Sequence, residues 1–338
     1  MSIVKSKEIH LVSRPNGEPL AENFLVKEVE IKEVKENEIL VKNLWMSVDP
    51  YMRGRMIDRK SYVPPFELGK TLEGGAIGIV IKSKCPDFKE GDFVNSNFGW
   101  REYFTAEGKY LQEVNPDIGP LQAYLGTLGM PGMTAYVGLL RIGNLKEGDK
   151  VMISAAAGAV GTVASQIAIA KGCEVFGTAG SDEKCSFLEK DLGLTKAINY
   201  KTCGHLIKSF HSACPNGVDV YFENVGGSHL EAALSIMRPN GRIALCGMIE
   251  QYNDNAPRPG PNNLMAAIAK SLKIEGFIVS NHSDLSEKFL TDMKSWFDSG
   301  KMQWKETIDE GIESAPGAFL KLFKGQNFGK MLVKIADK

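Results

Sequence analysis

Proline is scarce in this 338-residue chain, with 15 in all, and cysteine is scarcer still. None of the six cysteines (Cys85, Cys173, Cys185, Cys203, Cys214 and Cys246) stands in C-x-x-C spacing, so reduced thiols are the simplest reading. An excess of one charge is missing too. Lys plus Arg number 40 and Asp plus Glu 41, a net charge of −1, so no long-range field favours nucleic acid or an acidic membrane. The opening residues MSIVKSKEIH carry charge where a signal peptide has its apolar core; no leader and a cytoplasmic location are therefore expected. Two stretches lack charge over about the length of a membrane span. Ile118–Leu140 contains Pro120, Pro131 and five glycines, and Val151–Ala170 is rich in alanine with Ser154, Thr162, Ser165 and Gln166. Both are too broken or too weakly apolar to insert, and a buried role is expected for each.

Glycine is abundant, at 35 of 338 residues, or about 10% against a usual ~7%. Excess glycine without excess proline suggests backbone that turns tightly or approaches something closely. The length implies roughly two domains at about 150 residues each. Hydrophobic residues at 43% and charged residues at 24% suit a folded protein.

One cluster resembles a metal site: Cys203, His205, His211 and Cys214 within CGHLIKSFHSAC. An amphipathic helix with Leu206, Ile207 and Phe210 inward explains the same residues. Positions two apart do not neighbour each other on a helix, so Cys203, His205 and His211 do not converge.

The first ~120 residues read as β-rich, with apolar runs at Ile39–Met46 and Ala76–Ile81 and turns at Cys85–Asp92, as in a small, partly open barrel. From Leu121 the period changes. A helical stretch leads to strand Val151–Ser154, helix Ala159–Lys171, strand Glu174–Thr178 and a helix capped by Ser181. Strand Lys196–Asn199, helix Gly204–Ala213, strand Val218–Glu223, helix Ser228–Met237 and strand Arg242–Cys246 follow. This alternation predicts a parallel, doubly wound α/β sheet. Gln251–Asn263 reads as a long proline-rich loop, of the kind that serves as a lid, a binding loop or plain disorder. Leu272–Val279 reads as a strand and Leu285–Ser299 as an amphipathic helix. Lys330–Ile335 is β-like again and could rejoin the first domain.

Val151–Gly161 reads VMISAAAGAVG: strand, small-residue turn, helix. Set against G-x-G-x-x-G it gives Ala156-x-Gly158-x-x-Gly161. Gly158 would let the backbone approach a pyrophosphate, and Gly161 would let the helix pack closely on the strand. A glycine-rich turn with no ligand would look the same. Its place at the first βα turn favours the dinucleotide. An NAD site would place Asp or Glu at the end of the second strand, where this chain has Thr178-Ala179-Gly180-Ser181. Asp182 is near the right distance, but a surface acid in a first helical turn explains it equally. Lys184 is better placed for a 2′-phosphate, unless it is an ordinary solvated lysine, and NADP is favoured.

No Gly-Lys-Ser/Thr follows the glycines, no G-x-S-x-G elbow occurs, and the five histidines have no evident catalytic partner in sequence. Hydride transfer suits this inventory, because the cofactor carries the chemistry.

Motifs spread over nearly the whole chain then carry a resemblance. They are Asp49-Pro50-Tyr51-Met52-Arg53-Gly54-Arg55-Met56, Gly129-Met130-Pro131-Gly132-Met133-Thr134-Ala135-Tyr136, Ala155-Ala156-Ala157-Gly158-Ala159-Val160-Gly161, Gly180-Ser181-Asp182-Glu183-Lys184, Asn224-Val225-Gly226-Gly227 and Tyr252-Asn253. The chain resembles the zinc-independent medium-chain dehydrogenase/reductases, and more narrowly the NADP-dependent alkenal and enone reductases of the prostaglandin reductase (leukotriene B4 12-hydroxydehydrogenase) type. Where zinc members carry Gly-His-Glu, this chain has Gly69-Lys70-Thr71-Leu72-Glu73. It lacks the four-cysteine lobe as well, and no metal is implied.

The resemblance implies a GroES-like substrate domain over 1–123 and 308–338, around a Rossmann NADP-binding domain over 124–307. It implies that Ala155, Ala156, Ala157, Gly158, Ala159, Val160 and Gly161 hold the pyrophosphate, and that Lys184 and Tyr200 approach the 2′-phosphate. Met130, Thr134, Asn224, Cys246, Gly247, Met248, Ile249, Tyr252, Phe277, Ile278, Val279 and Asn327 would line the rest of the NADPH. The family usually has Asp where this chain has Glu223, a change expected to matter for local packing only. The reaction implied is hydride transfer from NADPH to the β-carbon of an α,β-unsaturated ketone or aldehyde. Tyr252 is then the first candidate to donate to the developing enolate oxygen, with Tyr51 as a second donor or wall. Aromatic packing at a domain edge accounts for both tyrosines otherwise. A homodimer is implied, with no nucleic-acid or membrane partner. A quinone reductase of the same superfamily and a non-catalytic NADPH-binding protein are the alternatives.

Overall fold

The computed structural model describes residues 4–338. The first three residues, where the leader and first-domain expectations begin, lie outside the described residues. Two compact units are present. One comprises the chain up to Leu125 with Glu306–Asn327 and Met331–Lys338; the other comprises Gly126–Lys305 with Phe328–Lys330.

The first unit is a mostly antiparallel β structure. Its seven-stranded sheet runs Glu306–Glu310, Lys330–Lys334, Glu38–Ser47, Ala76–Ser83, Phe93–Ser96 and Gln112–Glu113, with Tyr103–Glu107 also paired to Glu38–Ser47. The β-like tail does return to this sheet, with Leu332 opposite Ser47. Lys5–Leu11 and Phe24–Glu30 form a separate antiparallel pair. Trp100 is fully buried, stacked on Phe24 at 6.2 Å between ring centroids and edge-on to Phe319 at 6.1 Å. These three rings bury large apolar areas and anchor this core.

The second unit is the doubly wound sheet. Its elements are β1 (Lys150–Ile153), α1 (Ala159–Ala170), β2 (Glu174–Ala179), α2 (Asp182–Lys190), β3 (Lys196–Asn199), α3 (Leu206–Ala213), β4 (Val218–Glu223), α4 (Gly227–Ile236), β5 (Met237–Leu245) and β6 (Lys273–Gly276). All six strands are parallel, in the order β3-β2-β1-β4-β5-β6. This is the Rossmann order, whose direction reverses between β1 and β4, so a crevice for ligand opens at their carboxyl ends.

The uncharged Val151–Ala170 stretch is β1 and α1, and the helix is buried. Its polar side chains bond back to their own helix: Thr162 Oγ1 donates to Gly158 O, Ser165 Oγ to Gly161 O and Gln166 Nε2 to Thr162 O. That satisfies each buried donor without water. No helix among the described residues is long and apolar enough to cross a membrane.

Several boundaries differ from the sequence reading. The strand expected over Leu272–Val279 ends at Gly276, because β6 pairs only with β5 and β5 stops at Leu245. Helix α3 starts at Leu206, since Gly204 has φ +73° and His205 is extended. Met237 is extended and opens β5, so α4 ends at Ile236. In α3 Phe210 is fully buried, with Leu206 and Ile207 packed against the same core.

His229 in α4 is buried, and neither ring nitrogen has a hydrogen-bond partner among the described residues. It packs edge-on against Tyr200 and Phe210, and burial lowers its pKa to about 4. The native state therefore holds the ring neutral, while the unfolded chain binds a proton below pH ~6.5. Stability should fall by about 2 kcal/mol from pH 7 to pH 5 through this group alone. Urea unfolding of His229→Leu at both pH values should show that loss removed; an unchanged difference would refute the assignment.

Candidate functional site

The turn between β1 and α1 stands at the mouth of the crevice. Ala155 has φ +48°, and Gly158 caps α1 in extended conformation. The two glycines are held for different reasons. A Cβ on Gly161 would overlap the Ala155 carbonyl oxygen and stand 2.7 Å from Ala156 Cα, so the helix approaches the turn only because that atom is missing. A Cβ on Gly158 would meet nothing closer than Ala155 O at 3.2 Å. Internal packing hardly needs glycine there, whereas an anion approaching the backbone would. Ala155, Gly158, Ala159 and Val160 are half-exposed, and Ala156, Ala157 and Gly161 are buried. The turn is braced from far along the chain: Gly329 N donates to Ala157 O at 2.9 Å, and Gly158 and Gly329 form a parallel bridge.

The carboxyl ends of β1 and β4 are tied by a polar knot. Ser154 Oγ donates to Glu223 Oε1 at 2.8 Å, and Val225 N donates to the same oxygen at 2.7 Å. Asn224 donates its backbone N–H to Ser154 Oγ and its amide to Ser154 O, both at 2.8 Å. Glu223 is fully buried. Burial raises its pKa, and the hydrogen bonds from the Gly226 and Val225 backbone and from Ser154 offset part of that. Glu223 is thus more than a packing substitution. Its backbone carbonyl also accepts from Cys246 N and Gly247 N, which draws in the loop after β5.

That loop carries Cys246, Gly247, Met248, Ile249 and Tyr252. Burial pushes the Cys246 thiol up to about 12, so it stays protonated and inert at neutral pH. The Tyr252 hydroxyl lies over this turn and accepts a long hydrogen bond from Met248 N at 3.4 Å. Cys246, Gly247 and Met248 border an open cavity of about 570 Å³ with Phe277, Ile278 and His282. Val279 opens the short helical turn after them. Met130 is exposed and Thr134 buried on a helix that packs against α1, with Thr134 Oγ1 bonded to Met130 O.

At the end of β2, Ser181 caps α2 by accepting from Lys184 N at 3.3 Å. Asp182 is turned aside, because its carboxylate accepts from Asn199 Nδ2 at 2.7 Å. Lys184 is half-buried, and its pKa is lowered first by burial and next by the charge of Lys201. The Tyr200 hydroxyl lies 3.0 Å from where a Cβ on Gly180 would be.

Two candidates belong to the first unit. Tyr51 is partly buried, and desolvation, then Asp49, raise its phenol pKa; Asn327 is half-buried at the end of its segment. Among the described residues no group of three or more His, Cys, Asp or Glu could hold a metal ion. Sequence reading missed Ser154, Gly329 and Lys201, none of which stands in a motif that marks it.

Two family models match the chain: "N-terminal domain of oxidoreductase" over residues 7–114 and "Zinc-binding dehydrogenase" over 159–295. Prostaglandin reductase 1 of Mus musculus is 42% identical, over 98% of this chain and all of the relative. The NADP(+)-dependent 2-alkenal reductase of Nicotiana tabacum is 41% identical over 98% of each. CurA of Vibrio vulnificus in complex with NADPH superposes with a TM-score of 0.93 at 38% identity, over 98% of this chain and 100% of that one. Full-length identity at this level, a Rossmann sheet with its glycine turn, and no histidine in Gly69–Glu73 lead to one assignment: the chain belongs to the zinc-independent medium-chain dehydrogenase/reductases.

Proposed function

We propose that the chain is an NADPH-dependent reductase of the C=C bond of α,β-unsaturated ketones and aldehydes. The observation that carries this reading is the knot at the carboxyl ends of β1 and β4. It brings the Ala155–Gly161 turn, Asn224 and the Cys246–Tyr252 loop to one crevice, in a chain whose full-length relatives are named as reductases of prostaglandin and of 2-alkenal. The residues present fit the dinucleotide. The open backbone at Gly158 and the N-terminus of α1 suit a pyrophosphate. No acid stands at the end of β2, Asp182 in the first turn of α2 accepts from Asn199, and Lys184 follows on the same helix, which suits a 2′-phosphate over a free ribose hydroxyl. Asn224, Cys246, Gly247, Met248, Ile249, Phe277, Ile278, Val279, Met130, Thr134 and Asn327 complete the binding set in this reading.

When bound, the cofactor supplies a hydride to the β-carbon of the substrate, and a proton delivered to the α-carbon by a tyrosine or by water completes the reduction. The chain's part is to orient the reactants and to stabilise the oxygen on which negative charge grows. Tyr252 is the first donor to that oxygen, and Tyr51 the second donor or wall. With its pKa raised, the Tyr51 phenol keeps its proton throughout the neutral range. The first unit serves as the substrate domain and the second as the NADP-binding domain. A cytoplasmic homodimer belongs to the same reading.

Lys184→Ala tests the cofactor assignment. The Michaelis constant for NADPH should rise about tenfold or more while that for NADH stays within about twofold; equal effects would remove the phosphate role. NADPH oxidation should be faster with an enone such as 3-nonen-2-one than with a simple quinone. Faster quinone turnover would favour the quinone reductase, and tight NADPH binding with no turnover a sensor.

A further inference from the structure

We propose that Lys201 is a second cation of the 2′-phosphate site and helps select NADPH over NADH, an inference that rests on the function just proposed. The lysine follows β3 in a tight turn that fixes its backbone. Lys201 N donates to Asn199 Oδ1 at 3.1 Å, and Thr202 N and Cys203 N donate to Asn199 O. Tyr200 N donates to Ala179 O, which continues the pairing of β3 with the end of β2. The turn therefore starts level with Gly180.

Gly180 makes the approach possible. A Cβ there would stand 3.0 Å from the Tyr200 hydroxyl and 3.3 Å from Lys201 Cε. The phenol and the lysine stem thus lie against bare backbone at the carboxyl end of β2, where a dinucleotide's adenosine ribose sits in a Rossmann sheet. Lys184 on α2 lies within electrostatic range of Lys201, whose charge lowers its pKa after burial does. No ion pair of Lys201 forms among the described residues. The Asn199 side chain that accepts from Lys201 N also donates to Asp182 Oδ1 at 2.7 Å, so one amide fixes both the turn and the acid. Two cations and a phenol suit a phosphate dianion over a neutral ribose hydroxyl.

The test is calorimetric binding of adenosine 2′,5′-bisphosphate and of ADP to the full-length protein, its Lys201→Met and Lys184→Ala variants, and Lys208→Met as a surface control on α3. Lys201→Met should weaken the bisphosphate about five- to tenfold, leave ADP within twofold, and melt at the wild-type temperature. Lys208→Met should change neither ligand. If Lys184→Ala discriminates and Lys201→Met does not, Lys201 is an ordinary solvated lysine and the proposed function stands. If Lys201→Met weakens both ligands equally, its role is general charge or structure and the inference fails. If the wild-type protein itself binds the two ligands alike, the placement of the 2′-phosphate fails, and this inference with it.

Discussion

Gly161→Ala should destabilise the protein by about 3 kcal/mol and abolish measurable NADPH binding, whereas Gly158→Ala should leave the fold intact and weaken only the cofactor. The added methyl at residue 161 would overlap the Ala155 carbonyl and press on Ala156 Cα. Those are backbone atoms, which yield less than side chains do, so this lies at the upper end of overpacking costs of about 1–3 kcal/mol. The displaced turn is also held by Gly329 through Ala157 O, so the disturbance spreads beyond α1. At residue 158 the methyl would meet only Ala155 O at 3.2 Å, a few tenths of an ångström of adjustment. Its effect falls on whatever approaches the backbone from outside. Thermal melts should separate the two, with a loss of roughly 6–12 °C for Gly161→Ala and less than about 2 °C for Gly158→Ala. The Michaelis constant for NADPH in Gly158→Ala should rise about tenfold or more. A Gly161→Ala protein with wild-type melting would show that the close approach at the turn is not needed.

Tyr252→Phe should lower kcat for enones by about 10- to 100-fold with the Michaelis constant for NADPH nearly unchanged. Removing one donor to a developing oxyanion typically lowers rates by about 10²–10³. The lower range is expected because Tyr51 stands as a second candidate. The substitution is conservative for the loop, since the ring stays and the hydrogen bond that the hydroxyl accepts from Met248 N is long, at 3.4 Å. Cys246 N and Gly247 N stay bound to Glu223 O, so the turn keeps its shape. An interaction made only in the transition state lowers kcat and kcat/KM together. Steady-state kinetics with varied enone and varied NADPH give both constants. Unchanged turnover would dismiss Tyr252 as the donor, and a large rise in the NADPH constant would make it a cofactor residue instead.

Much of the second unit was legible because its signals are local. Ser181 caps a helix two residues from a strand end, and its bond to Lys184 N spans three residues. Strand β2 needs only its own apolar run and the glycine after it. The boundaries that shifted depend on partners: β6 stops where β5 stops, and α3 waits for Gly204 to turn. Glu223 shows the same limit in the site. As a letter it was a longer Asp; in the fold its carboxyl joins Ser154 and Val225 at the seam of two strands.

The sequence alone determined the chemistry this chain can hold. The glycine turn after an apolar strand and the lysine after Gly180 point to a dinucleotide, and the lack of P-loop and serine-elbow patterns suits hydride transfer, since each signal lies within a few consecutive residues; the enone reductase came from motifs that resemble a family. The tertiary structure decided which distant residues serve that turn. Gly329 braces it through Ala157 O, and Glu223 ties Ser154, Val225 and the loop after β5 together. The Gly329–Ala157 and Ser154–Glu223 contacts join segments far apart in the chain. Local periodicity carries no record of them, because parallel strand order is set by how helices pack on the sheet and not by order along the backbone.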